Sequence, residues 1–421
     1  MGAENNIATL HKSESSTTSD ENRFVSISVK KPHEVIEELK ELLPGAKKVD
    51  MLFLNAIGGD LQPLGQLVPY LKQVGASEGK VRIGVSGPHR RLFPQGKATL
   101  FYRPGLTEKK ADAEQKELTD MSYASLRESG VNIIDTEAFG INPRLLGIAN
   151  NVHSKWIRIE RDEKVITYLP EFNLDNHTVA AENFALRFEE TPEKATMPGS
   201  LSSVVGEYLE KVMDHKRFSD YETQISDTIS FLADAGKPGK SLIRDKAVTL
   251  FVAETTQDIL FVSQFPPAGA ALDGMIKAAT EGKPVILVLS DGCKGEAQKG
   301  FVQRRVAKIF ESRVRKLDTF YTIYYPGKVH SKWAMVNTGI QIQENARRNK
   351  IVIDEPEQPG KGIASSNNLH PAGYGVGTGE SGLFISDQSV LHLMRDALIP
   401  IITKGLNEEG ELPDFTEKLA S

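Results

Sequence analysis

The sequence predicts an α/β protein of two duplicated lobes, each a mixed, mostly parallel β-sheet flanked by helices, related by a pseudo-two-fold axis. Two observations lead there. Val-His-Ser-Lys-Trp occurs twice, at residues 152–156 and 329–333, and holds both tryptophans of the chain. The segments upstream of each copy also share an order: a short apolar run, an amphipathic stretch, a second apolar run ending in a small-residue turn, a charged helical stretch and a third short run. Alternating strand and helix patterns make strand-helix-strand units and a largely parallel sheet. A fixed order met twice marks an internal duplication.

In chain order, residues 1–22 lack an apolar centre and are rich in Ser, Thr and Glu, which predicts a flexible tail. The first lobe is expected over residues 23–190: a strand at 51–54, a helix at 61–73, a strand at 81–85 closing on Ser86-Gly87, a helix at 114–128, a strand at 131–134 and the strand at 152–156. Prolines and small residues between Glu189 and Ser203 place a linker at 191–203, and an amphipathic helix at 201–212 is expected to open the second lobe, residues 204–421. That lobe repeats the series at 259–262, 270–280, 285–289 closing on Ser290-Asp291-Gly292, 294–315, 320–325 and 329–333. An insertion at 337–362, charged and polar around Glu344, Arg347, Arg348 and Lys350, is expected to form a hairpin or loop over the site.

If each repeated pentapeptide is a strand, alternation puts His153 with Lys155, and His330 with Lys332, on one face and turns Trp156 and Trp333 to the other. An imidazole can attack phosphorus or move a proton near neutral pH, and an ammonium two residues away can hold phosphate oxygens. Two such strands facing each other make a phosphodiester site. One phosphorus between them requires nearest ring nitrogens roughly 5 to 7 Å apart.

With His-x-Lys in each half, residues 45–395 resemble the phospholipase D superfamily, whose pattern runs His-x-Lys, four residues, Asp, then a Ser-x-Asn-like turn. The resemblance implies a metal-independent phosphodiesterase or phosphatidyltransferase with a phosphohistidine intermediate and no cofactor. It implies a catalytic set of His153, Lys155, Asn173, His330, Lys332, Asn368 and Glu380, with His153 as nucleophile and His330 as general acid and base. Ser366 in the Ser-x-Asn turn, Gln264 after the strand at 259, and the polar pair Glu182-Asn183 are implied to contact or orient the substrate. Two departures stand out. Glu160 and Asn337 occupy the aspartate positions, and no serine precedes Asn173 as Ser366 precedes Asn368. Loss of the aspartate is similar to the tyrosyl-DNA phosphodiesterase branch.

Composition narrows the remaining classes. A length of 421 residues suits two lobes of ordinary size. No run reaches the ~18 to 20 apolar residues of a membrane span. The single cysteine, Cys293, leaves no internal disulfide, and the nine histidines show no metal-ligand spacing. A cytoplasmic monomer is expected, peripheral membrane contact and secretion staying open. A net charge of −5 favours a phospholipid or other phosphodiester over nucleic acid. A nuclease or DNA-adduct phosphodiesterase is the first alternative and a degenerate phosphate-binding protein the second. His89-Arg90-Arg91, Arg347-Arg348, His177, Phe265-Pro266-Pro267 and the glycine-rich stretch 373–379 read as surface, capping or loop features.

Overall fold

The computed structural model describes residues 24–77, 79–86, 106–136, 152–237, 239–290, 301–325, 329–343, 350–367, 369 and 378–408. The tail at 1–22, Cys293, Asn368, the basic clusters at 89–91 and 347–348, the side chain of His177 and most of the 373–379 stretch lie outside them.

The first half runs β1 (Ser26–Lys30), α1 (Pro32–Leu42), β2 (Lys48–Phe53), α2 (Pro63–Ala76), β3 (Lys80–Val85), α3 (Leu106–Glu128), β4 (Asn132–Asp135), β5 (Trp156–Glu160), β6 (Val165–Pro170), α4 (Asn176–Val179) and β7 (Ala185–Glu190). Two helices follow, α5 (Pro192–Ala195) and α6 (Leu201–Met213), the latter capped by the Ser200 hydroxyl accepting from Ser203 N–H. The second half runs β8 (Tyr221–Gln224), β9 (Ile229–Asp234), α7 (Leu242–Thr249), β10 (Ile259–Ser263), α8 (Ala270–Thr280), β11 (Val285–Ser290), α9 (Phe301–Val314), β12 (Phe320–Tyr325), β13 (Trp333–Val336), β14 (Ile340–Gln343), β15 (Lys350–Ile353), β16 (Lys361–Ser365), β17 (Glu380–Ile385) and α10 (Gln388–Glu408). Strands β10 and β11 are buried at every residue, as apolar runs covered on both faces must be.

The duplication is visible in the sheets. One has the order β1-β7-β6-β5-β2-β3-β4; the other, read from its far edge, has β8-β9-β17-β16-β13-β10-β11-β12. Strand for strand they match, β8 being an extra edge. Both sheets are mixed, but only β2-β3-β4 and β10-β11-β12 pair in parallel. The parallel share is therefore smaller than expected. Beyond the His-x-Lys segment the chain returns antiparallel, β5 to β6 to β7 and β13 to β16 to β17, which needs no crossover helix.

One apolar core spans both halves. Trp156 and Trp333, both fully buried, share it with Val205 and Leu209 of α6, and with Val390, Met394 and Leu398 of α10. Helix α6, expected to open the second half, packs against β2, β5 and β6 of the first, and α10 packs against β12 and β1. The halves are thus locked together by their own helices, with a separate apolar core behind each sheet.

The described strands of the insertion form a hairpin, β14 and β15 pairing antiparallel, and residues 344–349 between them lie outside the described residues. The hairpin leaves the end of β13 remote from His330. There Asn337, at φ +55°, accepts hydrogen bonds from the Thr256 and Gln257 N–H groups, and Ile340, Ile342 and Ile351 pack on the shared core. Apolar residues on one face of the hairpin draw its described strands onto that core.

Candidate active site

The strands begin at Trp156 and Trp333, so the His-x-Lys segments are not ladder strands as expected but lie just ahead of them. Each is anchored by the opposite half. Val152 bridges Gly379 and Val329 bridges Glu182 in matching parallel contacts. The His153 N–H donates to the Gly379 carbonyl at 2.7 Å, and the His330 N–H donates to Asn183 Oδ1 at 2.8 Å. The tryptophans complete the reciprocity: the Trp156 indole N–H donates to Ser381 Oγ at 2.8 Å, and Trp333 stacks on Phe184 at 5.2 Å. That explains why the whole pentapeptide repeats. Its alternate residues serve the cleft and the shared core.

The two imidazole rings lie close together, their centroids 6.3 Å apart and their planes tilted by 51°. His153 Nδ1 lies 2.8 Å from the Ser366 carbonyl and 3.3 Å from Glu380 Oε2, while His330 Nδ1 lies 2.6 Å from the Glu171 carbonyl. A carbonyl can only accept, so each Nδ1 carries the proton and each Nε2 is left with its lone pair. Glu380 is itself held, accepting from Ser366 Oγ and from Thr378 Oγ1 at 2.8 Å. Burial pushes its carboxyl up, yet His153 and the hydrogen bonds from His153 and Ser366 outweigh it, leaving Glu380 below the usual range. His153 is lowered by burial and Lys155, with Glu380 opposing; His330 is lowered further, by burial, Lys332, Lys155 and His153.

Both lysines are buried beside the rings. Lys155 Nζ donates to the His153 carbonyl at 3.0 Å, and Lys332 Nζ donates to the His330 carbonyl at 2.6 Å and lies 3.2 Å from His330 Nδ1. Burial and the neighbouring Lys155 bring Lys332 down to about 7, and burial lowers Lys155. Asn173 is buried, its Oδ1 accepting from Asn55 N–H at 3.3 Å and its own N–H donating to Thr178 Oγ1 at 2.8 Å. Asn183 is engaged at both ends, since its amide nitrogen donates to the Thr178 carbonyl; its part is to fix the His330 backbone. Glu182 accepts from the Tyr325 hydroxyl at 3.1 Å, and Gln264 follows the end of β10. Asn368, expected beside Ser366, is outside the described residues.

Sequence reasoning missed Glu171. It stands two residues before Asn173, as Ser366 stands two before Asn368, and its carbonyl holds His330 as that of Ser366 holds His153. Spacing alone could have found it; the expectation of a serine hid it. Burial pushes its carboxyl up to about 8 despite Lys332 and Lys155.

The fold has solved counterparts. Phosphatidylserine synthase of Haemophilus influenzae Rd KW20 superposes with a TM-score of 0.57 at 14% identity, covering 90% of this chain and 86% of that one. The chain shares its fold with that synthase. Polyphosphate kinase of Porphyromonas gingivalis (TM-score 0.47, 12% identity) covers 88% of this chain, which spans 49% of the kinase's length. Yeast tyrosyl-DNA phosphodiesterase (TM-score 0.47, 11% identity) covers 86% of this chain and 89% of its own. At those scores neither adds to the fold assignment. No family model and no curated protein matches the sequence.

Glu160 and Asn337, the departures from the pattern the sequence resembles, fall away from the cleft. Glu160 closes β5, accepting from Arg158 at 3.0 Å, and Asn337 caps the turn after β13. Both sit five residues past their lysine, ~16 Å along an extended chain. Their replacement of aspartate alters the far rim of the sheets and leaves the imidazoles untouched.

Proposed function

We propose that the chain is a phosphodiesterase or phosphatidyltransferase that works through a phosphohistidine, without a metal, on phospholipids. The observation that carries this is the pair of cross-braced imidazoles 6.3 Å apart with a buried lysine beside each. A phosphorus midway between the rings would stand about 3 Å from each ring centre, within the about 3 to 3.5 Å at which a ring nitrogen turned toward it can react.

In the first step His153 Nε2 attacks phosphorus and the bond to the leaving oxygen breaks. The electron pair departs with that oxygen, which takes a proton from His330 Nε2. In the second, His330 removes a proton from water or an alcohol, whose oxygen attacks phosphorus as the P–N bond breaks. Lys155 and Lys332 bear on the non-bridging oxygens as charge builds. Glu380, 3.3 Å from His153 Nδ1, offsets the positive charge that phosphorylation places on that ring. The surrounding cations keep His330 neutral; an anionic diester supplies the counter-charge that lets it take up a proton.

Lipid as substrate is supported by the net charge of −5 and agrees with a fold shared with a phosphatidylserine synthase. The missing aspartates no longer favour nucleic acid, because those positions lie away from the cleft. His330 as nucleophile is the second reading, favoured by its deeper depression. The test is incubation of the protein, in EDTA, with labelled phosphatidylcholine or phosphatidylglycerol vesicles and with single-stranded DNA. Cleavage or headgroup exchange of lipid alone is expected. Cleavage of DNA alone overturns the substrate, and turnover only with a divalent ion overturns the chemistry.

A further inference from the structure

Glu171 is the buried group that the mechanism above leaves idle. It is 1% exposed, and neither carboxyl oxygen has a hydrogen-bond partner among the described residues; the Lys332 backbone N–H approaches it, short of hydrogen-bond geometry. The charged groups facing it are Lys332 beside His330 from the segment before β13, Lys155 from the segment before β5, and Glu380 from β17. Its counterpart Ser366 gives its hydroxyl proton to Glu380, whereas the first half has Asn183 at the position of Glu380, already committed to the His330 and Thr178 backbones. Among the described residues nothing on the first half's side hydrogen-bonds the Glu171 carboxyl.

An unpaired carboxylate in this place would be costly to bury and would repel the anion the cleft is built to take. A carboxyl held neutral by its surroundings can instead donate a hydrogen bond. Resting on the reading of the cleft as a phosphodiester site, we propose that Glu171 is a substrate-binding residue that works as a neutral acid, its Oε–H donating to a non-bridging phosphoryl oxygen. Its ionisation at alkaline pH then turns a donor into a repelling charge, so the site closes to anions by a proton loss separate from that of Lys332.

The test is titration calorimetry of the full chain with dimethyl phosphate, which carries a single negative charge throughout, between pH 6 and 9.5. Wild type is compared with Glu171→Gln, which keeps a donor but cannot ionise, so that the Lys332 titration common to both cancels in the ratio. The wild-type Kd divided by the Gln variant's Kd stays flat at low pH and climbs about tenfold per pH unit once Glu171 ionises. At pH 6, Glu171→Leu binds about tenfold more weakly than Glu171→Gln, for want of the donor. A ratio flat across the whole range overturns the role of Glu171, even if the Leu variant does not fold. Absence of binding by wild type at every pH overturns the phosphodiester reading and this proposal with it.

Discussion

Replacing Glu380 by Gln isolates the charge at His153. Gln fits the same space, and the Ser366 and Thr378 hydroxyls can rotate to suit an amide, so the variant keeps the turn while losing the anion. At 3.3 Å from His153 Nδ1, a unit charge contributes about 5 kcal/mol at an effective dielectric near 20, an upper bound. Reorganisation and the retained dipole leave about 2 to 4 kcal/mol, which is roughly 30- to 900-fold in rate. The imidazolium exists fully only after phosphorus transfers, so the loss appears in kcat more than in KM. Stopped-flow turnover of bis(p-nitrophenyl) phosphate measures it directly. Because folding lowers the Glu380 pKa, its stabilisation is present above pH ~4.5 and is lost as pH falls below. The variant should therefore also melt lower at pH 7, and its stability should fall less steeply in acid than the wild type's. A wild-type kcat in Glu380→Gln would mean that His153 never carries a positive charge in the rate-limiting sequence.

Further outcomes follow from the same geometry. His153→Ala and His330→Ala each lower kcat on lipid by several orders of magnitude, and the double variant is little worse, as expected for residues acting as one unit; steady-state kinetics decide it, and additive losses would separate the two rings. Asn337→Ala lowers stability by about 1 to 3 kcal/mol in urea melts, since it strands three turn donors and an αL position, with kcat unchanged. His153 and His330 both have pKa values lowered by folding, so stability is lost as pH falls below ~6.5, where the unfolded chain binds the protons first. Each contributes up to about 1.4 kcal/mol per pH unit there, and replacing His330 by Asn should flatten the melting curve between pH 6.5 and 5.

How much of this was legible in the sequence depended on whether the signal was local. The apolar runs read at 259–262 and 285–289 and the amphipathic helix at 270–280 could be read directly, because burial on two faces and a 3.6-residue stripe leave composition behind. The antiparallel return through β6-β7 and β16-β17 was not, since strand direction is set by connection length and partner choice, which periodicity does not record. The hairpin's placement escaped for a similar reason: Ile340, Ile342 and Ile351 look like an ordinary edge strand until the shared core is seen beside them. At the candidate site, His153, Lys155, His330 and Lys332 were picked out by their repeat. Glu171 was hidden because its half-motif is recognisable by position and not by residue type, and its contact with His330 runs through a backbone carbonyl that any residue possesses.

The most direct measurement is trapping of the covalent intermediate. Wild type and the two histidine variants are mixed with 32P-labelled bis(p-nitrophenyl) phosphate, quenched in alkali and digested, and the labelled peptide is identified by mass spectrometry. Because p-nitrophenolate leaves without a proton, His330→Ala should still be labelled and should accumulate label on His153, about one per chain, while His153→Ala takes none. Label on His330 would exchange the roles of the two rings within the same site. Label on neither histidine, in a protein that turns the substrate over, would contradict a shared phosphohistidine site between the two halves.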